Sequence, residues 1–475
     1  MIYLGIDQGT SGTTVVALDE TLEPIDTQSV PVSSVSAPGG AVEQDPWHVL
    51  ETVTSALEAS LRSLGDPTVR SVGFDHQGET VLAWNRRTLE PLSPAIVWSD
   101  TRAAVIARDI ERRGLRQRIE DLSSNRLDPY FCAAKYSWLL SSEPTLTEPG
   151  TELALGTLET WLLAQLSVEQ ATDIGTASRT QLTRLGGNSW DPALLELFGI
   201  PAEALAPIVP SLADRGALRL PGMDEDLALT ASLVDQPAAL AGNGCIDPGT
   251  SKVTYGTGAF VVSNLGRDAP RGRGPLVASV GWGDSKGPVF IHDGGVFAAG
   301  SGLSWLASIG IDVSPAAQDQ LIGRPPTGVT VSPALHGLGA PHWDRDAKAA
   351  ILGLDASTTG LDILQAFLEA IAFRVAEILD ASPIDDEVVR VDGGLTGSTY
   401  LMQFQADVLG IPLGVGATPE ATAVGSALLA GKAIGDLDDR SIRDATIPAR
   451  IVEPTSPRVA QERFAAWKSA LAALS

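Results

Sequence analysis

The residues with the clearest chemical potential stand at the start of the chain, in Asp7-Gln8-Gly9-Thr10-Ser11-Gly12-Thr13. An apolar run, Ile2–Ile6, precedes them and a second, Thr13–Leu18, follows, so they read as a tight turn between two strands. A turn this small exposes successive backbone N–H groups, at Ser11 and Gly12 among others, and its glycines let a phosphate come close to the main chain. Thr10 and Thr13 can add hydroxyl donors. Asp7, at the strand end, can hold a magnesium ion through water, because Mg²⁺ gives up its hydration reluctantly. A plain β-hairpin accounts for the same letters, and the turn alone does not decide between the two.

A second turn, Gly256-Thr257-Gly258, lies between the strand-like runs Lys252–Tyr255 and Phe260–Asn264. Alone it is weak evidence. As the counterpart of the first turn in the same relative place of the other half, it suggests two hairpins gripping a triphosphate from both sides. Ile246-Asp247-Pro248-Gly249-Thr250-Ser251 echoes Ile6–Ser11 almost letter for letter, but its proline precedes the strands and it reads as a linker. Gly393-Gly394 joins a strand to a helix, an arrangement that can pass under an adenine or ribose, with Gly300 and Gly302 in a similar role; close helix–strand packing is the alternative.

The elements that must carry these turns can be read from the same chain. Its 475 residues exceed what one hydrophobic core serves, which implies two large domains. Asp45-Pro46 introduces a helix over His48–Leu64, and Val69–Phe74 and Thr80–Trp84 read as strands. Leu364, Phe367, Leu368, Ile371, Val375 and Ile378 mark a long helix from Leu361 to Asp380, with Thr359 as its cap. Val388–Val391 reads as a buried strand, Tyr400–Leu409 as a helix stopped by Gly410 and Pro412, and Arg458–Leu474 as a surface helix. A strand–turn–strand thus opens each half. The division falls near Gly242–Gly249, giving domains 1–244 and 245–475 that face a cleft.

Bulk properties narrow the partners. A net charge of -25 argues against nucleic acid and acidic membrane surfaces, both polyanions. It also means that any phosphate must be held by backbone N–H groups, helix N-termini and a metal, since the overall field repels it. Cys132 and Cys245, far apart and without metal-like spacing, read as reduced core residues. With no basic leader and no run long enough to span a bilayer, the expected location is the cytoplasm.

These turns, together with Trp161 in Leu158–Leu163, Ala177-Ser178-Arg179-Thr180, Gly337-Leu338-Gly339-Ala340-Pro341, Val391–Gly394 and Leu401–Asp407, resemble the FGGY carbohydrate kinases. Within that family the glycerol kinases are the most similar, and the likeness runs in order along nearly the whole chain. The resemblance implies an α/β fold of two actin-like (ribonuclease H-like) domains closing on ATP, Mg²⁺ and a small polyol or sugar, and a homodimer fits it. It implies Asp235 as the general base, Gln236, Glu79 and Tyr130 as contacts to substrate hydroxyls, and Trp98 and Phe260 as apolar walls. On the nucleotide side it implies Thr10, Thr257, Gly300 and Gly394, and beside them Ser11, Gly12, Thr13, Gly258 and Ser398 are further candidate contacts. Without the resemblance, Asp235 would read as a helix cap, Glu79 as a solvated charge and the aromatics as core.

The chain departs from the glycerol kinases at Gly78, where they carry an arginine that donates to two glycerol hydroxyls. A charged hydrogen bond is worth roughly 1.5–3 kcal/mol, so its loss would weaken glycerol about 10- to 150-fold. The missing guanidinium also leaves room for a longer substrate, unless a nearby arginine such as Arg102 reaches back into the site. Thr14 replaces another arginine, and Ser398 lies where asparagine is usual. The expected function is therefore ATP-dependent phosphorylation of glycerol or a related polyol or sugar, with a tetritol, pentitol or ketopentose as the alternative acceptor. An actin-like ATPase without an acceptor, and a sugar sensor without turnover, are remoter readings.

Overall fold

The computed structural model describes residues 1–475 except 66, 149, 221–225, 271–273, 383–384 and 473–475. Its first strand, Ile2–Gln8, is buried along nearly its whole length and turns back into Gly12–Leu18. Their antiparallel register sets Asp7 against Thr14 and Gln8 against Thr13. The Gly9 N–H closes the turn on the Gly12 carbonyl at 2.9 Å. Pro24–Pro31 continues the meander, and Val69–His76 and then Leu227–Val234 add parallel strands on the other side, with the short Ala217–Leu218 at the edge. Helix Pro46–Ser63 packs on this sheet. Its proline occupies the first turn and the Asp45 carboxylate accepts the Trp47 N–H, as the Asp-Pro pair predicts.

The second half repeats the plan. Ser251–Tyr255, Ala259–Gly266 and Gly287–Val296 form an antiparallel meander, extended by Val277–Asp284, while Val389–Asp392 and Leu413–Val415 add parallel strands next to the first of them. In both halves the strand neighbouring the hairpin carries an aspartate at or next to its end, Asp75 or Asp392, in register with Asp7 or Thr254 respectively. Helix Gly360–Asp380 begins with a capping box between Thr359 and Asp362 and buries its apolar face against the second sheet.

One helix crosses between the halves. Ala421–Ala433 lies late in the chain but packs on the first sheet, where a Cβ at Gly5 would meet the Ala423 carbonyl oxygen at 1.8 Å and one at Gly73 would meet that of Ser426 at 2.0 Å. It also packs against helix Asp235–Gly242 in a core shared by both halves. The C-terminal helix, Pro457–Ala472, is not the plain surface helix expected from its charges, and the expected end at Leu474 lies outside the described residues. Phe464 stacks on Phe373 at 5.3 Å, and the buried Trp467 indole donates to the Val331 carbonyl at 2.8 Å. Cys132 and Cys245 are free and buried. Among the described residues, no helix is long and apolar enough to cross a membrane.

Candidate active site

The first turn is braced from below. Thr10 accepts the Trp98 indole N–H on its hydroxyl at 2.8 Å, and Gln44 donates to its carbonyl, also at 2.8 Å. Gln77 in turn donates to Gln44 and Gln8, so the turn stands on a platform of buried amides. Ser11 is exposed at the tip and Gly12 half-buried. Thr13 departs from expectation: its hydroxyl is buried and bonds to that of Thr52 at 2.8 Å, because strand alternation points it into the core. It has no hydroxyl to offer a phosphate. Thr14 bonds to Ser29 across the adjoining strands.

The second turn is held by a helix N-terminus. The N–H groups of Ala299 and Ser301 donate to the Thr257 carbonyl, and that of Gly300 to the Gly256 carbonyl, all near 3 Å. A Cβ at Gly300 would sit 2.7 Å from that carbonyl, so the approach requires glycine. Gly258 is overlain by the Phe260 ring. Gly394 borders open space, whereas Gly393 is pinned at φ +89° against the Tyr255 carbonyl. Ser398 is committed as the cap of helix Thr399–Leu409, accepting the Leu401 N–H. The echo residue Asp247 pairs with Arg443 on the surface.

Three carboxyl groups gather at the ends of three adjacent parallel strands. Asp7 and Asp75 are register partners, and Asp235 follows directly on Leu227–Val234. Asp235 is not the cap of its helix; Val234 holds that position, and the Asp235 carboxylate takes only the neighbouring Gln236 N–H at 2.6 Å. Burial and then the Glu79 charge push Asp235 up to about 6, while Lys252 pulls it down. Burial and Asp235 raise Asp7 to about 7, and burial followed by Asp7 raises Asp75 well above the usual carboxylate range. Asp75 is wholly buried and neither oxygen has a well-formed hydrogen bond; the Asp7 carboxyl and the Ser426 hydroxyl come near it. These unmet acceptors beside Asp7 fit a hydrated divalent cation. Among the described residues no group of three or more acidic, histidine or cysteine side chains could hold a metal ion, so water and nucleotide oxygens would complete the shell.

Lys252, which in sequence is only a strand residue, has its buried ammonium on the Gln236 side-chain oxygen at 2.7 Å and the Thr254 hydroxyl at 2.6 Å. It thereby orients Gln236 beside Asp235.

Glu79 and Tyr130 meet around a residue that the sequence reading did not place in the site. Glu79 is buried rather than solvated and pairs with the Arg179 guanidinium. Arg179 also reaches Asp293 at 2.6 Å and the Tyr130 hydroxyl at 3.2 Å. Trp98 packs edge-on against Tyr130, with centroids 5.9 Å apart. Arg102 does not approach: it pairs with Asp100 and Glu43 and lies over Trp138. Gly78 stands in a left-handed turn at φ +63°, where a Cβ would come within 3.2 Å of Val234. Its N–H donates to the His76 carbonyl at 2.8 Å and to His76 Nδ1 at 3.2 Å. Burial lowers His76 to about 4, so it is neutral, with Nε2 bonded to Thr176. The signal for Arg179 was present in Ala177–Thr180, but nothing in that tetrapeptide says which way the guanidinium points.

Comparison with known proteins bears on what this arrangement does. Residues 2–242 match the model of the N-terminal domain of the FGGY family of carbohydrate kinases, and residues 251–434 that of the C-terminal domain. Glycerol kinase of Alkalilimnicola ehrlichii is 35% identical over 98% of this chain and 97% of its own. The crystal structure of Plasmodium falciparum glycerol kinase with ADP superposes with a TM-score of 0.91 at 29% identity, covering 99% of this chain and 97% of that one. A xylulose kinase from Lactobacillus acidophilus, 19% identical with a TM-score of 0.89 over 100% of this chain and 98% of its own, shares the fold.

Proposed function

The chain belongs to the FGGY family of carbohydrate kinases, and on that premise we propose that it transfers the γ-phosphoryl group of Mg-ATP to a terminal hydroxyl of glycerol, with Asp235 as general base. ATP-dependent phosphorylation of glycerol or a related polyol or sugar follows from the relatives over nearly the full length. The choice of glycerol rests on one observation. A guanidinium stands beside Glu79 and Tyr130 despite Gly78, supplied by Arg179 from another element.

An alcohol is a weak nucleophile. In this reading Asp235 accepts its proton as the oxygen attacks the γ-phosphorus and the bond to ADP breaks. The transition state is loose and its charge lies on the phosphoryl oxygens, so positioning and backbone donors supply most of the acceleration. Thr10, Ser11 and Gly12 on one side, and Thr257 and Gly258 on the other, provide those donors. Gly300 and Gly394 let the nucleotide approach, and Ser398 fixes the helix behind it. Trp98 and Phe260 line the carbon chain, Gln236 with Glu79 and Tyr130 binds its hydroxyls, and Gly78 keeps the turn beneath them. Asp7, with Asp75 behind it, would hold Mg²⁺, which when bound neutralises phosphate charge. Division at Gly242–Gly249, cytoplasmic residence and a homodimer complete the proposal.

The larger-acceptor reading, a tetritol, pentitol or ketopentose, stands as the alternative, because Gly78 carries no side chain into the site. A panel of glycerol, erythritol, threitols, pentitols and ketopentoses, followed by ADP release, tests the choice. Glycerol should give the highest kcat/KM; a pentitol or ketopentose at the top would favour the enlarged pocket.

A further inference from the structure

We propose that Arg179, braced by Asp293, reads the non-reacting hydroxyls of the acceptor and sets the preference of this kinase for a short vicinal polyol. This rests on the reading of the Glu79–Tyr130 pocket as the acceptor site. Arg179 follows directly on the short helix Ile174–Ser178, whose cap, Asp173, accepts the N–H groups of Gly175 and Thr176. The helix is fastened to the second half, where the Val280 N–H donates to the Ser178 hydroxyl at 3.0 Å. The side chain therefore enters the pocket from a rigid junction between the two halves, a suitable base for a selecting group.

Its donors can be counted. A guanidinium carries five N–H groups in a fixed fork. Nε serves Glu79, Nη1 serves Asp293 and, at 3.5 Å, Ser279, and Nη2 serves the Tyr130 hydroxyl at 3.2 Å. One N–H, on Nη2, has no acceptor among the described residues. Asp293 takes its bond from Arg179 at Oδ2, and its Oδ1 receives none from the described residues. An unmet donor on Arg179 and an unmet acceptor on Asp293, its ion-pair partner, suit a hydroxyl group, which both gives and receives.

Exposure shows where such a hydroxyl would arrive. The Arg179 and Glu79 side chains are 4% and 3% exposed, whereas Asp293 is 19% exposed. The cluster is thus open at Asp293. An ion triad of this burial gains little stability over an apolar cluster of the same volume, so packing alone is a poor reason for it. Asp293 lies on Gly287–Val296 of the second half, whereas Glu79, Tyr130 and Arg179 lie in the first. A hydroxyl held between Arg179 and Asp293 would contact both halves.

The test is steady-state kinetics of Arg179→Gln, Arg179→Lys and Asp293→Asn with ATP and three acceptors: glycerol, propane-1,2-diol and propane-1,3-diol. Arg179→Gln should lower kcat/KM for glycerol about 10- to 150-fold, as loss of a charged hydrogen bond does. KM for ATP should stay within about twofold of wild type, since uniform damage is not expected. The loss should shrink to a few-fold for at least one diol, the one lacking the hydroxyl that Arg179 reads. Arg179→Lys should keep part of the selectivity, and Asp293→Asn should repeat the acceptor-selective pattern more weakly. Equal losses on all three acceptors, a rise in the KM for ATP, or unchanged glycerol efficiency would overturn the proposal. Should Arg179→Gln not fold, the same comparison on Asp293→Asn decides, with a uniform loss counting against it. A wild-type enzyme inert toward all three acceptors but active on a larger polyol would overturn the pocket reading itself, before any variant is made.

Discussion

Asp7 and Asp75 stand opposite each other on neighbouring parallel strands, two carboxyl groups at one level of the sheet with a third, Asp235, close enough to raise both. Such a concentration of acid on a chain of net charge -25 costs stability when charged. It is retained at the place where the ends of the strands meet the phosphate turn, which is where a cation would arrive with the nucleotide.

The cost at Asp75 has a predictable sign. Its folded pKa lies well above the ordinary value of 3.8, so between those two values the fold holds a proton that the unfolded chain has released. Stability from this group is therefore greatest at low pH and falls as pH rises through that window. Asp75→Asn removes the penalty. In Mg²⁺-free buffer it should be more stable than wild type near pH 8, because the amide has no charge to bury. The gap should close toward pH 4.5. Thermal melts across that range check it; a gap that widens toward acid would contradict it.

Activity should titrate with Asp235. The base must be ionised to accept a proton, so kcat/KM for the acceptor should fall below about pH 6. Lys252 lowers that value, so Lys252→Met should move the acid limb upward. Near pH 6.5 this would cost about 3- to 10-fold in kcat/KM, with the deficit shrinking at higher pH. A pH–rate profile of both enzymes is the measurement, and an unmoved limb would count against the lysine's role.

The nucleotide side has its own probe. Gly300→Ala forces a methyl group to within 2.7 Å of the Gly256 carbonyl, so the helix start or the turn must shift. A displacement of this kind costs on the order of 10- to 100-fold when it moves groups that hold the phosphates. KM for ATP should rise while KM for glycerol changes little. ADP binding by calorimetry should weaken in step.

Much of this was legible in the chain. The two hairpins, the capped helix after Thr359 and the strand before Gly393 follow from local signals, namely apolar runs broken by glycine and a Thr that caps. Asp7 and Thr10 stand out from the turn itself, whereas Glu79, Tyr130, Asp235 and Gln236 become candidates only through the resemblance. Thr13 was misread because the same hydroxyl can face the turn or the core, and only strand register decides. Arg102 is near enough in sequence to suggest a replacement for the missing guanidinium, yet Asp100 and Glu43 hold it elsewhere. Arg179 reaches Glu79 across 100 positions of sequence and Asp293 across 114, distances over which spacing carries no information. The C-terminal helix reads as a surface helix in sequence, yet its Phe464 and Trp467 find the second core, a packing that only the tertiary fold decides.

That helix supplies a control for stability without chemistry. Trp467→Ala should cost about 3–5 kcal/mol, as removal of a buried tryptophan does, and also orphans the Val331 carbonyl. Denaturant melts should show the loss. The pH at which kcat/KM falls should stay where it is in wild type.

The central claim, that Asp235 takes the proton of a glycerol hydroxyl as phosphate transfers, is tested most directly by Asp235→Asn in single turnover. Mg-ATP and glycerol are mixed with excess enzyme, and glycerol phosphate is followed by ³¹P NMR. The variant should bind ADP and glycerol nearly as wild type does but form product about 10²- to 10⁴-fold more slowly, the usual contribution of a positioned general base. Product formation at the wild-type rate would contradict the account, as would wild-type ADP release that is indifferent to glycerol.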